Sequence, residues 1–151
     1  MGSRFSLVFV AAFLLVVMAL FFMANPSYRK SIEAKYYYEI GEYEEAYTLA
    51  NEAFSEDVYN RMASTIMAQS KTSLKYVKYI NEAKKYMQEI NKIAQKESID
   101  DGDRVRIKMM SAIMTESYPK LAPSIITDKE LVDEAARYHQ QFEKLLEKVS
   151  R

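Results

Sequence analysis

His139 is the only imidazole in the chain, and an imidazole can serve as general base, proton shuttle or metal ligand near neutral pH. Such work needs a nucleophile or a metal partner, and none stands at a recognisable spacing. His139 follows Tyr138 on an amphipathic run and reads as a surface or flank residue. The run Asp100-Asp101-Gly102-Asp103 offers carboxylates for a divalent cation, yet it lacks the spaced ligands and distal glutamate of a calcium loop. A helix cap accounts for it better. Glycines at positions 2, 41 and 102 cannot be assembled into a phosphate-cradling loop. The absence of cysteine removes thiolate nucleophiles, thiolate metal sites and disulfides. The expectation is a protein with no catalytic, metal or cofactor residues, and not an enzyme.

Binding is the remaining chemistry, and tyrosines carry it best because they bury area while keeping a polar tip. Tyr36-Tyr37-Tyr38 cannot all face one side of a helix, since successive residues are about 100° apart. Tyr76 and Tyr79 flank an apolar seam further along. Tyr36, Tyr38, Tyr76 and Tyr79 are therefore the expected partner-binding residues, with ordinary packing at a core edge as the bland alternative. Met109, Met110 and Met114 could form an adaptable apolar patch, although core packing explains them as well. Lys75, Lys78, Glu82, Lys85, Glu89, Lys92 and Lys96 trace a stripe whose i,i+4 pairs neutralise one another, as on a solvated face. Overall, 21 basic residues balance 21 acidic ones, which argues against a nucleic-acid partner.

These residues need elements to position them, and the 151-residue chain divides by composition. Residues 5–24 carry no charge and, at about 1.5 Å per residue, reach across a bilayer core of about 30 Å. They read as a membrane anchor over 1–25, with a cleaved signal sequence as the alternative. A basic N-terminal flank at Arg4 suggests the body lies outside the cytoplasm, periplasmic in a bacterial envelope. Asn25-Pro26 breaks this helix.

The body, 26–151, has helical periodicity nearly everywhere, so the fold class is all-α. The spacing predicts helices over about 27–40, 43–55, 58–70, 74–97, 103–117 and 127–149. Gly41 ends the first as a left-handed cap. Asp57 caps the third, which buries Val58, Met62, Ile66 and Met67. The fourth has a seam of Val77, Ile80, Ala83, Met87, Ile90 and Ala94. The fifth turns Val105, Met109, Met110 and Ile113 inward. Thr127 to Glu130 forms a capping box, with Ile126 and Leu131 as its hydrophobic staple. The heptad seam over 131–149 either closes this chain's own core or offers a helix to a second chain.

Residues 34–54, AKYYYEIGEYEEAYTLANEAF, resemble one tetratricopeptide repeat. Ala34 matches the small residue at the helix crossing, Tyr37 the aromatic one turn later, Gly41-Glu42-Tyr43 the turn, and Ala46 and Ala53 the small positions of the second helix. Lys30, Glu33, Ala50 and Val58 depart from the pattern. The match is best over 28–56, with a degenerate second unit over 58–97 and further helices over 103–149. The resemblance implies a stack of helix pairs whose concave face binds protein segments. The resulting expectation is a scaffold or adaptor of a multi-protein envelope assembly, such as a motility, secretion or translocation machine, on the inner membrane. Its partners would be other membrane or periplasmic proteins. A membrane-tethered chaperone for exported chains is the alternative.

Overall fold

The computed structural model describes residues 2–124 and 127–150, with their side chains except those of 2–6, 22 and 23. Every regular element among them is helical: α1 (Gly2–Ala24), α2 (Pro26–Glu39), α3 (Tyr43–Glu56), α4 (Arg61–Ala94), α5 (Asp101–Ser117), a 3-10 turn (Tyr118–Lys120) and α6 (Lys129–Ser150). The chain forms two compact units, Met1–Ser70 and Lys71–Arg151.

In the first unit the described side chains of α1, from Leu7 to Phe21, are apolar and exposed. Among the described residues no single helix is long and apolar enough to cross a membrane on its own. Leu7–Phe21 and Pro26–Glu39 pass that test only as a pair, bent by 82° at the break between them. The break has a local cause. Asn25 adopts an extended conformation and its Oδ1 accepts the Ser27 N–H at 3.0 Å, while Pro26 opens α2 where no amide proton is needed.

α2 ends as expected, at Gly41 with φ of 84°. The Glu42 N–H reaches the Tyr37 carbonyl at 2.9 Å and the Gly41 N–H reaches that of Tyr38 at 3.1 Å, the two bonds of a Schellman turn. α3 then folds back on α2. Ala34, Ala46 and Ala50 pack together, fully buried, with Ile66 of α4. The small side chains of Ala34, Ala46 and Ala50 let the two backbones approach closely there, with Tyr37, Tyr38 and Leu49 packed around them.

A buried polar cluster locks this hairpin to the start of α4. Asn60 donates through Nδ2 to Ser27 Oγ at 2.9 Å and to Ser31 Oγ at 2.7 Å. Ser27 Oγ donates to the Ala53 carbonyl at 2.7 Å, and Ser31 Oγ to the Ser27 carbonyl at 2.9 Å. Asn60 Oδ1 accepts the Ala63 N–H at 3.1 Å, capping α4. All three side chains are buried, and each polar atom has a partner. This corrects the expected cap: Asp57 ends α3 and accepts the Tyr59 N–H, while Val58 and Tyr59 are exposed in the turn.

The expected break near 71–73 is absent, and α4 runs unbroken for 34 residues. Lys71-Thr72-Ser73 contains neither Gly nor Pro, so nothing in the backbone stops the helix. A second helical hairpin over 58–97 therefore does not form.

In the second unit Tyr76, Tyr79, Ile80, Ala83, Ile90 and Ile93 of α4 meet Ile107, Met110 and Met114 of α5, Leu121, and Ala135 and Phe142 of α6. Val105 and Met109, expected inside, are exposed; Asp103 and Ser111 are buried instead. Asp100 caps α5 by accepting the Asp103 N–H at 2.7 Å, as the helix-cap reading anticipated. Lys96 Nζ bonds both Asp103 oxygens, at 2.7 and 2.8 Å, and holds that carboxyl below its ordinary range. At α6 the cap is Asp128, whose Oδ1 accepts the Glu130 N–H at 2.8 Å. Thr127 instead bonds Ser124, at 2.9 Å from the Ser124 N–H. Ile126 of the expected staple lies outside the described residues. Leu131, Tyr138, Phe142, Leu145 and Val149 pack into this unit's own core, so the 131–149 seam is not an open face for a second chain.

Candidate functional site

The four tyrosines expected at a partner surface are not brought together. Tyr76 and Tyr79 are interior, at 2% and 4% exposure, which corrects their assignment: no partner reaches them. At Tyr79 the hydroxyl end explains why tyrosine is tolerated there, since its Oη donates to the Met114 carbonyl at 3.3 Å across α4 and α5. Burial pushes the Tyr79 phenol up to about 12, with Tyr118 and Glu143 adding to the shift. The fold thus favours the neutral phenol. Its contribution is complete below the ordinary tyrosine value near 10 and is lost as the pH rises through about 12. Urea midpoints should fall steadily above about pH 10 in the native chain and fall less steeply in Tyr79→Phe.

Tyr36 and Tyr38 belong to the first unit and diverge. Tyr36 is 61% exposed on the outer face of α2, its ring edge-on to Tyr37 at 5.6 Å. Tyr38 is half-buried, meets the Tyr43 ring at 5.4 Å, and forms one wall of a groove of about 390 Å³.

That groove is a candidate site of the first unit, with both charged and apolar lining. Lys35, Tyr38 and Glu39 rise from α2, and Arg61, Met62, Thr65, Ile66 and Gln69 from α4. Their positions follow from helical spacing: 35 and 39, like 62, 66 and 69, recur at steps of three or four and so share a face. The Asn60 cluster sets the distance between the walls by fastening the start of α4 to α2. Met62 and Ile66 contribute apolar lining, and Lys35, Arg61 and Glu39 charged lining. Neither cation has a carboxylate within ion-pair distance among the described residues, in contrast to Lys30, which holds Glu52 and Glu56 at 2.9 and 2.8 Å. The groove can take an apolar side chain and a carboxylate from one extended segment. Apart from Tyr38, sequence reasoning missed these residues, because the groove exists only once α4 lies beside α2.

The other candidates have structural employment. His139 stacks on Tyr118 with ring centroids 4.1 Å apart, and its Nε2 lies 3.4 Å from Glu143. Glu82 accepts the Tyr86 hydroxyl at 3.1 Å and Glu89 pairs with Arg106 at 2.8 Å. Among the described residues the anticipated Lys78–Glu82 and Lys85–Glu89 pairs are not formed. Met110 and Met114 are core residues, while Met109 faces solvent. Among the described residues no group of three or more His, Asp or Glu side chains is placed to hold a metal ion. Compared with protein-family models, with curated proteins and with solved structures, the chain matches none.

Proposed function

We propose that this chain is a non-enzymatic adaptor, anchored in a membrane by α1, that holds a segment of a neighbouring protein in the α2–α4 groove. The observation that carries the reading is α1 itself. Its described side chains are apolar on every face and exposed, and a helix of that kind is stable only in a protein core or in lipid. The uncharged run of 5–24 in the sequence supplies the rest of a spanning length. In this reading the body is extracytoplasmic and its partners belong to an envelope assembly. The α2–α3 hairpin is a single unit of tetratricopeptide type, and the unbroken α4 takes the place of a second pair.

The groove chemistry favours a segment that lays an apolar side chain over Met62 and Ile66 and turns a carboxylate toward Lys35 and Arg61. Charge reversal at both exposed cations tests this without disturbing the fold. In Lys35→Glu/Arg61→Glu, recovery of the stoichiometric partner with tagged full-length chain from native membranes should drop about tenfold or more, equivalent to about 1.4 kcal/mol. Undiminished recovery would remove the groove from the interface. Many sub-stoichiometric clients in place of a fixed partner would favour a tethered chaperone.

A further inference from the structure

α2 carries an apolar stripe on its outer face: Ile32, Tyr36 and Ile40 are each more than half exposed. They stand at steps of four, opposite the buried Ser27, Ser31 and Ala34 that face α3 and α4. Continued toward the N-terminus, the same face passes through Arg29 and Asn25, at steps of three and four. Asn25, the N-cap through which α1 joins α2, therefore lies on the side that bears the stripe. The 82° bend between the two helices then lays α2 along the plane of any bilayer in which α1 stands upright.

We infer that the Ile32–Tyr36–Ile40 face of α2 is an interfacial membrane contact, seated in the headgroup layer of the same bilayer that α1 enters. This rests on α1 being membrane-inserted. Tyrosine suits the boundary, with its ring among acyl carbons and its hydroxyl in the wet layer. The neighbouring charges cancel, since Arg29 and Lys35 stand with Glu33 and Glu39, so the contact is apolar and needs no anionic lipid. Lys35 and Glu39 line both the flank of this face and the groove, which places the groove at headgroup height. Its occupant is then a juxtamembrane segment of a membrane protein, not a soluble domain.

The chain contains no tryptophan, so a single introduced indole reports its own site. Full-length Tyr36→Trp would be reconstituted in zwitterionic phosphatidylcholine vesicles with brominated acyl chains, and Ile32→Trp treated alike. Tyr59→Trp serves as the reference: that position is 88% exposed, in a turn tied through Asn60 to the opposite face of α2. The indoles at positions 36 and 32 should shift to the blue and lose about half their emission to bromine, as expected for a side chain seated about 5–10 Å into the interface, while the indole at position 59 stays quenchable from water. Flotation with the vesicles but water-exposed indoles at 36 and 32 would overturn this inference and leave the anchor reading intact. Bromine quenching at position 59 as strong as at position 36 would overturn the choice of face. Failure to float would overturn the anchor reading and this inference with it.

Discussion

Asn60→Asp should lower the unfolding free energy by about 3 kcal/mol, although it preserves volume and the oxygen that caps α4. The reason lies in the direction of each bond. Ser27 and Ser31 already give their hydroxyl protons to the Ala53 and Ser27 carbonyls, so each presents a lone pair to position 60. An amide nitrogen satisfies both lone pairs; a carboxylate oxygen opposes both. Relief would require the serines to abandon buried carbonyls, or the acid to protonate and supply one donor where two are needed. Urea unfolding of the full chain, followed by far-ultraviolet circular dichroism, measures the effect. A midpoint within error of the native chain would show that the amide does not donate to the two hydroxyls. Asn60→Ala should be comparable, by a different route: the cap is lost and a small cavity opens.

Phe142→Ala is expected to cost about 3–5 kcal/mol, the usual range for removing a fully buried aromatic ring. Phe142 has no exposed surface and sits in the cluster shared by α4, α5 and α6. Amide hydrogen exchange should show accelerated exchange along α5 and α6. The informative control is Val105→Ala, at a position the apolar pattern assigns to the interior but the structure exposes. That substitution should stay within about 0.5 kcal/mol of the native chain. A Val105→Ala loss approaching that of Phe142→Ala would restore the original facing of α5.

Those two positions illustrate what could be read from the amino acids and what could not. The helical class, the α2–α3 hairpin, the stop at Gly41 and the cap at Asp100 were legible, because each depends on local geometry with one residue type to satisfy it. The facing of α5 was not. Apolar residues occupy both of its sides, Val105 and Met109 on one and Ile107, Met110 and Met114 on the other, so periodicity selects neither. The buried side is chosen by polar residues: Asp103, made tolerable inside by Lys96, and Ser111, small enough to pack closely. Tyr76 and Tyr79 misled for a related reason. A phenol suits a surface or an interior equally, and for Tyr79 only the Met114 carbonyl supplied by another helix decides. The groove was illegible for want of Asn60, whose partners lie 29 and 33 residues earlier in the chain.

The alanine seam between α2 and α3 also bears on the order in which the chain folds. Alanine surrenders no rotamer freedom on burial, and its partners across the seam are close neighbours in sequence, so little loop-closure entropy stands in the way. The hairpin is therefore the segment best able to organise before the rest of the chain is available. Asn60 arrives afterwards and closes a site the hairpin has already shaped, so folding of this unit follows the direction of synthesis.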